Sequence, residues 1–248
     1  MIHRKSKEEI ELMRMSNQLV AKLLQKLKGL VRPGITTREL DAAAERFIIS
    51  SGGIPAFKGY NGYPACICTS VNNVVVHGIP GDRALHDGDI ISIDAGIKLN
   101  GYCGDATITV PVGTISKDTA RLVKVTAEAL DIGIAKAVQG NRIGDISYAI
   151  QSFVESNGYS IVRDFVGHGI GKEMHEEPQV PHFGSPGTGP KLKAGMVIAI
   201  EPMVNAGDWR LRILQDNWTA VTVDGSLSAQ FEHSVAITAN GPDVLSRL

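Results

Sequence analysis

Leu85-His86-Asp87-Gly88-Asp89-Ile90-Ile91-Ser92-Ile93-Asp94 returns later in the chain as Leu192-Lys193-Ala194-Gly195-Met196-Val197-Ile198-Ala199-Ile200-Glu201. In both copies a leucine opens the stretch, a glycine stands three residues on, and an apolar run closes on an acid nine residues after the leucine. A carboxylate at the end of a buried apolar strand costs free energy unless it is paired, protonated or bound to a metal. Two copies at one spacing point to one shared purpose.

The doubling extends upstream. Gly34-Ile35-Thr36-Thr37-Arg38-Glu39-Leu40 leads through Ala43, Ala44, Phe47 and Ile48 to Gly52, while Gly140-Asn141-Arg142-Ile143 leads through Ile146, Ala149, Ile150, Phe153 and Val154 to Gly158. Both runs carry apolar residues at one-face helical spacing, the second 106 residues after the first; the acid-ending strands are 107 apart. Thr36 with Glu39 suits a capping box, and Gly52 and Gly158 suit the left-handed position after a helix. Longer helices precede both units, one from Ser6 with Glu9 three residues on, the other from about Ser116. Helix, helix and strands therefore occur twice, an α+β pattern in one domain, 1–248, with similar halves at about 6–113 and 114–241. Loop 183–190, rich in glycine and proline, reads as a surface excursion and not a boundary.

Composition narrows the function classes. Charged residues are 21 % and apolar ones 43 % of the 248, a soluble globular balance. Lys and Arg number 25 against 26 acids, so the electrostatic footprint of a nucleic-acid binder is missing, and a small or peptidic partner is expected. The first residues have no apolar run behind their charges, and nothing approaches the roughly 20 apolar residues of a membrane span. With three unpaired cysteines, Cys66, Cys68 and Cys103, the expected location is the cytoplasm.

The first acid can be placed by counting. Asn100-Gly101 signals a two-residue hairpin turn, which pairs Leu99 with Tyr102, Ile97 with Gly104 and Gly96 with Asp105. Asp94 and Asp105 then become diagonal neighbours on one face, with backbones roughly 7–8 Å apart. Gly96 and Gly104 are expected to clear space around them. In the second half Glu232 heads the strand His233-Ser234-Val235-Ala236-Ile237-Thr238, and 31 positions separate it from Glu201 where 11 separate the first pair. That interval is expected to hold an extra pair of strands near Asp216-Asn217 and Asp224-Gly225. Taken singly, each acid could be a solvated strand end or an ion-pair partner. Four crowded on one sheet would repel one another, and two divalent cations would neutralise them.

A nitrogen ligand is available in Gly167-His168-Gly169-Ile170-Gly171, whose glycines let the backbone approach closely and leave the imidazole accessible. An oxygen-rich site with one histidine suits manganese, iron, cobalt or zinc better than a thiolate-selective metal.

With Val76-His77-Gly78-Ile79-Pro80, Ile93-Asp94, Gly104-Asp105, Gly167-His168-Gly169-Ile170-Gly171, Glu201-Pro202 and Gln230-Phe231-Glu232-His233, the chain resembles the methionine aminopeptidases of the short, type I bacterial class. The likeness covers nearly the whole chain. It implies the pita-bread fold, two pseudo-symmetric halves around a central antiparallel sheet covered by helices. Asp94, Asp105, His168, Glu201 and Glu232 match that family's five metal ligands, with Asp105 and Glu232 shared between two ions, Asp94 serving one, and His168 with Glu201 the other. His77 and His175 match its two non-ligand active-site histidines; read alone, His77 is a loop histidine after Val74-Val75-Val76. Tyr60, Tyr63, Cys68 and Trp218 match the pocket for the methionine side chain, although by themselves the tyrosines read as turn residues and Cys68 as core. Met174 and Phe57 depart from the residues expected there, commonly Phe and Cys. Asn72, Val74 and Ser228 match a monovalent-cation site.

The resemblance implies hydrolytic removal of an amino-terminal methionine from peptides and nascent proteins, by a water shared between two divalent metals. Glu201 would accept and shuttle the proton, while His77 and His175 stabilise the tetrahedral intermediate and orient the scissile bond. A monomer is expected, with transient association with the ribosome, no membrane partner and no nucleic-acid specificity. Two other readings remain: a proline-directed pita-bread aminopeptidase, and a non-catalytic peptide-binding protein of that fold. Proline-directed relatives usually carry an extra amino-terminal domain, and non-catalytic ones lose metal ligands.

Overall fold

The computed structural model describes residues 1–248. The first half contains α1 (Lys7–Leu30), α2 (Thr37–Ser50), β1 (Ile54–Pro55), β2 (Ile67–Val71), β3 (Val74–Val76), β4 (Ile90–Leu99) and β5 (Tyr102–Pro111). The second opens with α3 (Lys117–Lys136) and α4 (Ile143–Ser156). Ten strands follow: β6 (Ser160–Ile161), β7 (Gly167–Gly169), β8 (Glu176–Val180), β9 (Val197–Ile200), β10 (Met203–Asn205), β11 (Leu211–Ile213), β12 (Ala220–Thr222), β13 (Ser228–Gln230), β14 (Glu232–Thr238) and β15 (Gly241–Val244).

Local chemistry sets the helix ends. The Ser6 and Thr36 hydroxyls accept from the backbone N–H groups of Glu9 and Glu39 at 3.2 Å, and those glutamates accept from the cap N–H groups at 2.8 Å. At α4 the cap is Arg142, and only the carboxylate half of the box survives, with Asp145 accepting from Arg142 N–H at 2.7 Å. α2 and α4 both span 14 residues. Gly52 and Gly158 follow them at φ +77° and +80°. An isolated bridge ties each cap to the turn ahead of an acid-ending strand, Thr36 to Ala84 and Arg142 to Lys191. The repeat is thus carried in backbone contacts as well as in sequence.

Nine strands form one antiparallel sheet in the order β1-β4-β5-β14-β9-β7-β8, with β2 also on β4 and β15 also on β14. The β4–β5 register is Leu99 with Tyr102, Ile97 with Gly104 and Gly96 with Asp105, as counted from the Asn100-Gly101 turn. Alternation sends Ile91, Ile93, Ala95 and Ile97 into a core shared with α1 and α2, through Leu23, Leu27, Leu40 and Ile48. Ile198 and Ile200 enter a second core with Leu130, Ile146 and Ile150 of α3 and α4. Each such side chain contributes roughly 1.5–3 kcal/mol on burial, which holds the strand ends in place although those ends carry acids.

One expectation is extended and one changes. Between Glu201 and Glu232 there are four short strands, β10 to β13: the expected pair is the β11–β12 hairpin around Asp216-Asn217, and β10 and β13 are additional. They leave the main sheet for two three-stranded ones, β13-β10-β6 and β11-β12-β3, because β10 pairs with the distant β6 and β12 with the distant β3. Gly104 does not clear space around the acids. It points to the other face, where an added Cβ would lie 2.6 Å from the backbone of Ser16 and Asn17 in α1.

Gly104→Ala is therefore expected to destabilise the protein by about 1–3 kcal/mol, because overpacking against main chain has no flexible neighbour to relieve it. Gly29→Ala, at an exposed α1 position with no atom within 4 Å of the new Cβ, is expected to stabilise by roughly 0.5–1 kcal/mol. Denaturant unfolding of both variants checks the opposite signs.

Candidate active site

Sheet register assembles the site in two rows. In the first, Asp94 faces Thr107 across β4–β5 and Thr107 faces Glu232 across β5–β14. Continuing the β9–β14 register by one residue sets Glu201 opposite Glu232. In the second row Gly96 faces Asp105, and the β5–β14 register continued by one residue sets Asp105 opposite Ser234. Ser234 faces Ala199, and His168, beside the Gly169–Ile198 pair, comes opposite Ala199. Directly opposed residues share a face, so four acids and an imidazole converge. The intervening Ser234 and Ala199 are small and fully buried, which keeps the middle open.

The glycines around His168 allow this approach. A Cβ at Gly167 would collide with the Ala199 carbonyl oxygen, and one at Gly169 with the Glu177 carbonyl oxygen. His168 Nδ1 lies 2.9 Å from the Gly169 carbonyl oxygen, which sets the proton on Nδ1 and turns the Nε2 lone pair toward the acids. Nε2 lies 3.6 Å from Glu201 Oε1 and 3.7 Å from Asp105 Oδ2, too far for strong hydrogen bonds. Thr107 donates to Glu232 Oε2 at 2.9 Å, and Gln230 Nε2 donates to Glu201 Oε2 at 3.2 Å.

No lysine or arginine pairs with the cluster's acids. Burial pushes the Asp94 carboxyl up to about 7, against the Thr107 hydroxyl, which pulls it down. Burial likewise holds Asp105, Glu201 and Glu232 well above the usual carboxylate range, and their mutual repulsion adds to it. Burial lowers His168 to about 4, leaving it neutral. Asp94 Oδ1, Asp105 Oδ1 and Glu232 Oε1 are buried with no hydrogen-bond partner. Asp105, His168 and Glu232 present ligand atoms within 4.8 Å of one another. Partnerless carboxylate oxygens beside a neutral imidazole are the donor set of a divalent cation, and these residues fit one.

A cavity of about 260 Å³ opens beside the cluster, and Tyr60, Tyr63, Cys68 and Trp218 all line it. Tyr63 and Trp218 meet edge to face at 5.1 Å, and the Tyr63 hydroxyl lies 3.1 Å from the carbonyl oxygens of Ile67 and Gly78. Burial pushes the Cys68 thiol well up, so it packs as an apolar group. Phe57 also lines the cavity, whereas Met174 sits behind it, 4 % exposed. His77 adopts φ +59°, uncommon for a side-chain-bearing residue, with its ring 5.0 Å from Phe165 and 6.1 Å from Trp218. His175 Nδ1 lies 2.8 Å from the Tyr60 hydroxyl, and its ring is 4.3 Å from that of His168.

Some contributors escaped the sequence reading. Phe165 and Gln230 stand inside or beside quoted motifs, yet residue type alone assigns them no contact. Lys5 lies in an ordinary charged run, but its side chain is 5 % exposed and its Nζ is 2.7 Å from Glu176 Oε2, tying the amino-terminal segment to the loop that carries His175. Near the sheet edge, Ser228 N–H donates to the Asn72 carbonyl at 2.8 Å, and Ser228 Oγ is buried without a partner. Val74 begins β3, Ser228 begins the neighbouring β13, and Asn72 lies in the turn between β2 and β3, so the three residues expected around a monovalent cation are brought together there.

Known proteins resemble the chain in sequence and in fold. The chain is 55 % identical over 248 residues to methionine aminopeptidase 1 of Bacillus subtilis strain 168, with 100 % of each covered. It superposes on the crystal structure of methionine aminopeptidase from Rickettsia prowazekii with a TM-score of 0.99 at 42 % identity, covering 100 % of both chains. The prolidase of Pyrococcus furiosus shares the fold alone, at TM-score 0.81 and 24 % identity, covering 99 % of this chain and 65 % of that one. Residues 11–239 match the pattern of metallopeptidase family M24, and with an α+β pita-bread fold and relatives this similar, the chain belongs to that family.

Proposed function

We propose that this chain is a methionyl aminopeptidase, a hydrolase that removes methionine from the amino termini of peptides and nascent proteins. The observation that carries the reading is the pairing of an oxygen-rich acid cluster with an adjoining cavity walled by aromatic rings and a thiol. Such walls suit a flexible, polarisable thioether. Relatives named methionine aminopeptidase, alike over the full chain, support it.

Asp94, Asp105, His168, Glu201 and Glu232 are the residues that would hold two divalent cations, drawn from cobalt, manganese, iron and zinc. Ions bound there supply Lewis acidity that makes hydroxide available near neutral pH and polarises a carbonyl. Glu201 is the proton acceptor: Gln230 holds its Oε2, leaving Oε1 toward the cluster to take a proton and return it to the leaving amine. Burial lowers His77 to about 4, so at neutral pH it offers a neutral imidazole N–H to a developing oxyanion. His175, held by the Tyr60 hydroxyl, orients the scissile peptide. Tyr63, Trp218, Cys68 and Phe57 hold the methionine side chain and exclude water around it. A monovalent cation at Asn72, Val74 and Ser228 belongs to the same proposal, supported by the free Ser228 Oγ.

The setting proposed is the cytoplasm, in keeping with three free, buried cysteines. There a monomer would meet nascent amino termini by transient association with the ribosome. No helix of the chain is long and apolar enough to cross a membrane.

Incubated with divalent metal, the protein is expected to release methionine from Met-Ala-Ser and Met-Pro-Gly but not from their amino-blocked forms. No release with any of the four metals would sink the reading, and cleavage of Met-Pro-Gly alone would favour a proline-directed enzyme. Asp105→Asn and His168→Ala are each expected to cut turnover at least about 100-fold with an unchanged circular dichroism spectrum. Added manganese at 100 times its dissociation constant should stabilise the unaltered protein by about 2.7 kcal/mol for each ion bound, a rise in Tm that both variants lose. His77→Ala is expected to lower kcat by roughly 10²–10³-fold with a smaller change in KM, as for removal of an oxyanion donor; a raised KM with kcat unchanged would assign it to binding.

A further inference from the structure

We propose that Gly96 is a specificity-determining residue: the room left by its missing side chain seats Phe57 and Met174, and so sets how deep the substrate side-chain cavity is. The inference rests on the methionyl aminopeptidase reading and adds a residue to it. Gly96 stands on β4 two residues beyond Asp94 and directly opposite Asp105, so a side chain there would rise from the same face as the acids. Its backbone is ordinary strand, absent from the positive-φ positions, so glycine is required for space and not for conformation.

That space is filled. A Cβ on Gly96 would lie 2.5 Å from Phe57 Cε1, 3.0 Å from Phe57 Cδ1 and 2.6 Å from the Met174 methyl carbon. Neither neighbour has an easy retreat. The Phe57 backbone is held to β4 through the Pro55–Ile97 pairing and the Ala56 N–H donating to the Gly96 carbonyl at 3.0 Å. Met174 is 4 % exposed and belongs to a buried cluster with Cys103, Ile170 and Val197. Its loop is fastened by the Lys5–Glu176 ion pair and by Cys103 N–H donating to the Gly171 carbonyl at 2.8 Å. Phe57 alone of the three reaches the cavity. Crowding behind its ring therefore drives the ring into the space that the methionine side chain occupies. Phe57 and Met174, which differ from the residues expected by resemblance, form one packed unit with Gly96.

The test compares peptides that differ only in the first residue. Gly96→Ala is expected to raise KM for Met-Ala-Ser at least about tenfold, the discrimination that one methylene of pocket space commands, while Ala-Ala-Ser changes little. Calorimetric titration of manganese should give an unchanged affinity, which separates cavity filling from disturbance of Asp94. Gly96→Ala/Phe57→Leu should restore methionine preference. An equal loss for both peptides, or a double variant no better than the single one, overturns the inference.

If Gly96→Ala does not fold, Phe57→Leu in the otherwise unaltered chain tests the same wall. It should raise turnover of Phe-Ala-Ser relative to Met-Ala-Ser by at least about tenfold; an unchanged ratio overturns the proposal. Titration of L-methionine followed by tryptophan fluorescence reads the cavity without turnover. Binding that is lost in Gly96→Ala and regained with Phe57→Leu supports the inference even if peptide hydrolysis fails. Equal affinity in all three proteins overturns it while the hydrolytic reading stands.

Discussion

Four carboxylates share one buried sheet face with no lysine or arginine paired to them, and much of the molecule is arranged around that cost. Leaving several such charges bare would exceed the roughly 5–15 kcal/mol by which a whole domain is stable, so they must be protonated or neutralised. Apolar residues on the reverse face do the holding. Ile91, Ile93 and Ile97 anchor β4 against α1 and α2, while Ile198 and Ile200 anchor β9 against α3 and α4. The energy of two cores is thereby set against the repulsion of one cluster. A cation held by the cluster would relieve the repulsion from the sheet face opposite both cores.

Legibility in the sequence followed the range of the interaction. The β4–β5 register could be counted because Asn100-Gly101 closes a hairpin, and a local turn fixes every pair after it. The caps at Ser6 and Thr36 were readable for the same reason, since each bond spans three residues. The meeting of Glu232 with Thr107 was not, because β5 and β14 are joined by no short turn and their register is set by the docking of the two halves. Gly104 shows the limit most plainly. Its neighbourhood with Asp105 suggested clearance for acids, yet alternation turns it to the other face, and only the path of α1 reveals what it accommodates. Lys5 and Phe165 were invisible because a side chain's partner across the fold leaves no trace in its own neighbours.

The two acid pairs are not copies in space. Asp94 and Asp105 lie two residues apart in register on one hairpin, whereas Glu201 and Glu232 stand directly opposite each other. The offset puts Asp105 in the second row, level with His168, and lets the first row run from Asp94 to Glu201. Had both pairs been directly opposed, all four acids would lie along one line, with His168 a row away from every carboxylate. Unequal registers therefore turn a repeated motif into an enclosure.

That inequality also divides the labour. Phe57, Tyr60, Tyr63 and Cys68 come from one short segment of the first half and form most of the cavity wall, joined by Trp218 of the second half, which also supplies His168, His175 and Glu201. The segment is bound to β4 by β1 and β2, the strands that flank Asp94 on the side away from β5. On the far side of the sheet the corresponding place beside β9 is taken by β7, which brings His168. Each acid-ending strand thus received a different neighbour: one delivered apolar walls, the other an imidazole. Two similar halves can place an apolar wall and an imidazole on opposite flanks of one carboxylate cluster because the strands beside β4 and β9 differ while the acid-ending strands themselves keep one pattern.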